Sequence, residues 1–558
     1  MQNSKPVKHK KRNSSTSEKE KWYGTDYSKN PISKELHARC TDISVGNESD
    51  HLFKLPERND FIPDDFTVYA KPTTATDPDK TPPVILENEP SSRLWFKQDE
   101  EFLLPKCCVF LHFRSPVVYQ DPKHNAISSL FVDLLRDSLT EYSYNAELAG
   151  LRYSLSNGRY GFSLNVNGYN QKQKILLEKL VDKMVHFSPD ADRFRILKER
   201  YVRNLKNFAM EQPYQHAIYF TNILLTDKVW TKDEILKEAE SKRKTVLLTF
   251  KPSMGFNIFI DLTLEELKSF KPKFLEAMHI EAYVHGNATE DEARKLMDTV
   301  RTTIKKSVPL KPLYSTTSHY FQAENRTHSN SALEVVLQTG VENPKVNMLN
   351  ELLGQIFNEP CFNQLRTQEQ LGYIVFSGLR RSNGCQALRF IVQGDKTPDF
   401  MDSRLEAFLI QMEETLKNMS HEDFEKHKTA LANIRLERPK KLSSMALKLW
   451  NEITAEQYHF SRDKAEVDVL KSLTKEELLQ FFETAVKCDA PKRQKLSVYV
   501  KSTNNKNEES SSEVKPLPKA EKVDDVVAFK SRLSLYELPK PYRDDIPIAG
   551  MAEFSAKL

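Results

Sequence analysis

The sequence predicts an α+β protein made of two tandem homologous modules, each a mixed or antiparallel sheet backed by helices. Two patterns carry that prediction. Short runs that alternate apolar and polar residues stand among longer runs with apolar residues every three or four positions, the periods of strand and helix. The same order of elements then occurs twice, the signature of an internal duplication.

In the first copy, Leu130, Leu134, Leu135 and Leu139 mark a helix that leads into ELAGLRYSL at Glu147–Leu155. A strand follows, FSLNVNG at Phe162–Gly168, and then a helical run from Ile175 to Val185. In the second copy, a helix bearing Val346, Leu349, Leu352, Leu353 and Ile356 leads into QLGYIVFSG from Gln370, then RFIVQG at Arg389–Gly394, then a helical run from Ser403 to Met419. Gly150 and Gly372 correspond, 222 residues apart. Both copies continue into helix, at Phe194–Phe208 and Phe424–Leu436, and the first closes on a strand at His279–His285. We place the modules at residues 93–310 and 311–503. Residues 1–21, with the basic cluster KHKKR, are expected to be disordered. Residues 22–92, rich in proline, threonine and aspartate, read as too thin for a domain, residues 504–525 as a flexible connector and residues 526–558 as a C-terminal segment.

Composition excludes several classes. Of the 558 residues 39% are hydrophobic and 29% charged, which is globular and soluble, and the formal charge of +4 gives no electrostatic footprint for nucleic acid. No apolar run nears the roughly 20 residues needed to cross a bilayer, and the basic N-terminus lacks the apolar core of a secretory signal. A cytoplasmic location is expected. The chain ends in Ala556, Lys557 and Leu558, close to a peroxisomal address. Six cysteines show no CxxC spacing, which suits free thiols in a reducing compartment; vicinal Cys107 and Cys108 lie in a strand-like run, where burial and redox sensing are the alternatives.

The stretch EPCFNQLRTQEQLGYIVFSG, Glu359–Gly378, carries the most chemical information. Helical spacing before it and alternation after it put Arg366 and Tyr373 at a helix-to-strand junction, a common seat of binding groups. A guanidinium fork suits peptide carbonyls or a carboxylate, and a tyrosine hydroxyl suits a carbonyl or developing oxyanion. A surface arginine and a half-buried strand tyrosine are the plain alternative. The repeat bears on this choice. Leu151 stands where Tyr373 stands in the second copy, so the fold does not demand tyrosine there.

A catalytic metal motif is not seen, since neither HExxH nor HxxEH occurs. His421 and His427 fall about 120° apart around a helix. His279, Glu281 and His285, with Tyr283 between, share one face of a strand. Ile280, Ala282 and Val284 supply its buried face, so the polar side is expected to meet solvent or a wet cavity. A basic run, Arg435 with Arg438, Lys440 and Lys441 around Pro439, precedes Ser443. Proline there interrupts a helix and exposes backbone donors at the next helix start, a seat for phosphates or simply a solvated turn.

With EKWYGTDY at Glu20–Tyr27, RLWFKQDEEFLLPK at Arg93–Lys106, YNAELAGL at Tyr144–Leu151, EQPYQHA at Glu211–Ala217 and RPKKLS at Arg438–Ser443, this stretch resembles the insulysin/pitrilysin family of inverted-motif zinc metallopeptidases. The likeness covers only the back half of that family's chain. It implies two domains of a clamshell peptidase, the third and fourth, preceded in residues 22–92 by a remnant of the second domain and the linker. It also implies substrate contacts for Phe362, Arg366 and Tyr373, the tyrosine assisting the tetrahedral intermediate. The family's nucleotide and polyanion stretch falls on Glu437, Arg438, Pro439, Lys440, Lys441, Leu442 and Ser443, with ATP or a polyanion as effector. The family's zinc ligands have no counterpart, so no metal is assigned to this chain.

The expectation is therefore a substrate-binding, chamber-forming C-terminal half of an insulysin-like zinc metalloendopeptidase acting on short peptides, inactive alone. The alternative is a stand-alone, non-catalytic peptide-binding or regulatory protein. Expected partners are peptide substrates and a front-half or full-length chain of the same family, with a homo-oligomer as a further state, and neither nucleic acid nor membrane.

Overall fold

The computed structural model describes residues 17–29, 31–41, 58–70, 81–226, 229–239, 262–276, 278–304, 321–325, 330–382, 384–503, 522–523, 525–532, 536 and 540–542. Residues 1–16 of the basic tail, most of the 504–525 connector and the AKL terminus lie outside these residues, whereas residues 17–21, expected to be disordered, include the strand Ser17–Lys19. Packing divides the chain into residues 1–58 and 59–558. Within the small unit, Ser17–Lys19 pairs antiparallel with Asp26–Ser28, and a helix follows at Lys34–Thr41. The Glu20 carboxylate accepts from the backbone N–H groups of Trp22 and Tyr23 and so closes the hairpin turn.

Among the described residues the large unit holds two sheets. The first has six strands in the order Val84–Glu89, Ser92–Gln98, His279–Gly286, Lys106–Arg114, Gly161–Tyr169, Arg152–Gly158. Only the Ser92–Gln98 and His279–Gly286 pair is parallel. Its first two strands come partly from the segment read as a thin linker, and the boundary at residue 93 falls inside the second. The reason is packing, because Leu94, Trp95 and Phe96 are core residues of this sheet. The second sheet runs Ile374–Ser382, Cys385–Gly394, Ser331–Val341, Gln494–Ser502, Phe321–Asn325, antiparallel except for the last pair. On one face of each sheet lie amphipathic helices, among them Pro122–Leu148 and Gln173–His186 on the first, Pro344–Cys361 and Pro398–Asn418 on the second. The mixed, largely antiparallel architecture is the expected one.

The duplication is visible in backbone contacts. A Cβ on Gly168 would lie 2.2 Å from the Gly150 carbonyl oxygen, and one on Gly394 would lie 1.9 Å from that of Leu371, next to Gly372. In both modules the turn after the long helix crosses the end of the second hairpin strand too closely for a side chain.

The opposite face of each sheet is covered by a helix from the other module. Helix Pro213–Leu225 shares an apolar cluster with Ala332, Val336, Leu496, Val498 and Val500 of the second sheet. Helix Leu442–Thr454 shares one with Trp95, Cys108, Phe110 and Tyr283 of the first. Trp450 stacks on Phe110 at 5.5 Å and on Tyr283 at 6.3 Å, and Tyr458 stacks on Trp95 at 5.4 Å.

This arrangement corrects one expectation. The polar side of His279–Gly286 faces neither solvent nor a wet cavity; every residue of the strand is buried, because Trp450 and Tyr458 close over that side. Several of its polar groups are paired internally. The Trp95 indole N–H donates to Glu281 Oε1 at 2.6 Å, Tyr283 Oη and His285 Nδ1 are 2.6 Å apart, and Arg93 donates to the Tyr458 hydroxyl at 3.2 Å. Burial, with Lys97 nearby, pushes His285 down to about 3, and burial with Arg114 takes His112 down to about 4.

Trp450→Ala should cost about 3–5 kcal/mol in urea unfolding, whereas the neighbouring, half-exposed Leu447→Ala should cost under about 1 kcal/mol. A second outcome concerns acid. Both histidines have folded values below the ordinary 6.5, so the unfolded state binds more protons between the two values. Their contribution is complete above pH 6.5 and is lost as pH falls towards 4 and then 3. His112→Gln should therefore lose stability less steeply than wild type between pH 6.5 and 4.5, by up to about 1.4 kcal/mol per pH unit, measured by urea midpoints; equal slopes would contradict the assignment.

Candidate functional site

The long helix Pro344–Cys361 does not end at Pro360 but widens into a π-helical turn over Phe362–Gln368. Proline removes an N–H from the α-helical ladder, and the turn that follows spaces its bonds more widely, with Glu369 N–H donating to the Gln364 carbonyl at 2.9 Å. Buried Leu365 and Leu371 anchor the two sides of the turn in the second core. Gln370 takes a left-handed φ of 52° and reverses the chain into the strand Ile374–Ser382. Tyr373 thus stands one residue before the strand, at the expected junction.

The widened turn and the strand entry bring three side chains to one place. The Arg366 guanidinium carbon lies 4.6 Å from the Phe362 ring centroid and 4.7 Å from that of Tyr373, a sandwich of one cation between two rings. Phe362 is 42% exposed and Tyr373 83%, so both rings are available to a ligand. At exposed positions each such contact contributes about 0.5–1 kcal/mol, enough to orient the guanidinium without a carboxylate. Its N–H edge stays available for carbonyls.

Sequence reasoning missed the clamp beneath. Arg404, on helix Pro398–Asn418, donates from Nε and Nη2 to the two Glu369 oxygens at 2.7 and 2.9 Å. Gln364 donates to the same carboxylate at 3.0 Å. Burial disfavours the Glu369 charge, but these bonds outweigh it and hold the carboxyl below its ordinary range. No local pattern marks a pair separated by 35 residues.

The stretch Glu437–Ser443 links helix His421–Leu436 to helix Leu442–Thr454, as the proline predicts. Lys441 at the N-cap makes no side-chain cap bond, leaving first-turn N–H groups available. Arg438, Lys440, Lys441 and Ser443 are exposed, but Lys440 pairs with Glu437 at 2.8 Å. Leu442 is buried in the inter-module core and so is a packing residue. Beside the turn lies a cavity of about 420 Å³, lined in part by Arg435, Lys448, Arg462, Glu452 and Asp463. Its cations are already matched, Lys448 by Asp463 and Arg462 by Glu452, both at 2.6 Å.

Among the described residues no group of three or more His, Cys, Asp or Glu side chains is placed to hold a metal. Besides His285, which meets Tyr283, His279 Nδ1 lies 3.1 Å from the Pro90 carbonyl oxygen. These residues do not fit a zinc site.

Two family profiles match the chain, the middle or third domain of peptidase M16 over residues 3–238 and the PQQ synthase PqqF-like C-terminal lobe domain 4 over residues 352–450. The human insulin-degrading enzyme is 42% identical over 94% of this chain and 51% of its own length. The Arabidopsis thaliana insulin-degrading enzyme-like 1, described as peroxisomal, is 32% identical over 93% of this chain and 53% of its own. The chain thus spans about half the length of these relatives. Among solved structures, pitrilysin aligns with a TM-score of 0.75 at 23% identity, over 94% of this chain and 53% of its own. A Pseudomonas fluorescens structure described as a peptidase M16 inactive domain aligns at 0.55 and 14% identity, over 76% of this chain and 98% of its own.

Arg404→Gln should leave Glu369 without its fork and destabilise by about 1–3 kcal/mol. Hydrogen exchange should quicken over residues 362–373 in that variant, and unchanged exchange there would contradict the clamp.

Proposed function

This chain belongs to the insulysin/pitrilysin family of M16 peptidases, and on that premise we propose that it is the substrate-binding, chamber-forming C-terminal half of an insulysin-like zinc metalloendopeptidase acting on short peptides. The observation that carries the reading is the Arg366 guanidinium held between the exposed rings of Phe362 and Tyr373. A fixed fork beside two open aromatic faces suits a peptide, with its carbonyl acceptors and apolar side chains. Arg366 grips the backbone, Phe362 packs against a side chain, and the Tyr373 hydroxyl donates to the oxygen that gains charge as the carbonyl becomes tetrahedral.

The 558 residues contain no HxxEH, and His279 and His285 of the first sheet already meet the Pro90 carbonyl and Tyr283. Zinc chemistry is therefore assigned to a front half, whether joined to this chain or supplied by another, and no hydrolysis is expected without it. We assign Arg438, Lys440, Lys441 and Ser443 to ATP or another polyanion as effector, supported by the uncapped helix start and the exposed cations. Ala556–Leu558 is proposed as a peroxisomal address for an otherwise cytoplasmic protein.

The grip is already assembled within this chain, which favours a second reading, capture of peptides without cleavage. The two separate cleanly. Mixed with a zinc-bearing front half, the chain should give chelator-sensitive cleavage of a quenched peptide. Tyr373→Phe should lower kcat about 10²- to 10³-fold, and Arg366→Ala should raise KM. A stable complex without cleavage would overturn the first reading; Arg366-dependent peptide binding by the chain alone would then support the second.

A further inference from the structure

We propose that Phe376, Arg380 and Arg389 form a carboxylate-binding subsite at the margin of the second sheet beside helix Pro213–Leu225, selecting peptides that carry an acidic group beyond the Tyr373 anchor. The inference rests on the reading of Phe362, Arg366 and Tyr373 as a peptide grip. It adds a charge preference to that surface.

Along the strand Ile374–Ser382, alternate residues Ile374, Phe376, Gly378 and Arg380 share the face opposite the helical core. Gly378 lies across from Arg389 in the register. A Cβ on Gly378 would sit 2.9 Å from the Phe376 ring, so the ring folds over the glycine and meets Arg389, whose guanidinium carbon is 5.2 Å from its centroid. Helix Pro213–Leu225 covers the centre of this face and meets its edge strand where Asn222 accepts from Arg380, but it leaves Phe376 45% exposed.

Among the described residues the charges on this face do not balance. Glu334 is the carboxylate facing the two guanidiniums, 3.7 Å from Arg389, and its other oxygen already accepts from Thr221 at 2.7 Å. Arg380 is held by a neutral group, donating to Asn222 Oδ1 at 2.8 Å, and Arg389 Nε has no partner. Burial lowers the Arg380 pKa, with Glu334 opposing and Arg389 adding to the effect. Two crowded, partly desolvated guanidiniums beside an exposed ring match a carboxylate with an adjacent methylene stem. Strand rise is about 3.3 Å per residue, so an extended peptide held at Tyr373 reaches Arg389 about five residues away.

The test is fluorescence anisotropy of the full 558-residue chain with labelled dodecapeptides. Each carries one aromatic anchor and Glu or Gln five residues from it, on either side, with a free or amidated C-terminus. Wild type should bind one Glu peptide about tenfold more tightly than its Gln counterpart. In Arg389→Gln the preference should fall below about twofold, with Gln-peptide affinity unchanged, whereas Arg366→Ala should weaken both. Arg380→Gln, which keeps an amide donor for Asn222, should show the same loss and decides the matter if Arg389→Gln fails to fold. A preference that follows the free terminus instead of Glu identifies a terminal carboxylate as the occupant. Arg366-dependent binding that is equal for all the peptides overturns the subsite and leaves the grip standing; no binding of any peptide overturns both.

Discussion

Neither sheet of the large unit can bury both of its faces with helices from its own module, and each borrows one from the other. Helix Pro213–Leu225 lies on the second sheet and helix Leu442–Thr454 on the first. The latter contact is the more aromatic, with Trp450 against Phe110 and Tyr283, and Tyr458 against Trp95. Large rings carry much buried apolar area and stack with a geometric preference, so they fix relative orientation as well as adding stability. The fold of one module is in this sense a property of the pair.

That exchange also sets where ligand chemistry is available. The first sheet is closed on its borrowed face, and even His285 and Glu281 are spent on internal bonds. The second sheet is closed less completely, because its borrowed helix meets the hairpin Ile374–Gly394 through Tyr214 and Asn222 but leaves Phe376 exposed. At that margin stand Phe376, Arg380 and Arg389, and just beyond the end of its edge strand stand Phe362, Arg366 and Tyr373. The turn that carries Phe362 and Arg366 and leads to Tyr373 is fixed from behind by Leu365, Leu371 and the Arg404–Glu369 fork. A rigid seat under exposed side chains loses little on binding a ligand, which is the physical basis for reading it as a grip.

Much of this was legible in the sequence, for identifiable reasons. Period and repeat located the hairpins and their helices, and the correspondence of Gly150 with Gly372 marked a real backbone crossing. The Arg366 and Tyr373 junction followed from the change of period, and Pro439 marked the break between two helices. What sequence could not supply was the partner of each apolar face. Met445, Leu449 and Trp450 announce an amphipathic helix but not which sheet it covers, so the polar side of His279–Gly286 read as open. For the same reason the strand Val84–Glu89, only partly buried at a sheet edge, read as linker. Glu369 with Arg404, and Arg389 beside Phe376, are pairings across turns and strands that no local spacing encodes.

The central claim is that peptide binds at the open margin of the second sheet, and site-directed photocrosslinking addresses it directly. With p-benzoylphenylalanine at position 373, the chain should label a bound peptide, and Arg366→Ala should abolish the labelling. The same probe at Ile410, exposed on helix Pro398–Asn418 behind the sheet, should label none. Peptide that binds measurably yet crosslinks at 410 and not at 373 would contradict the account.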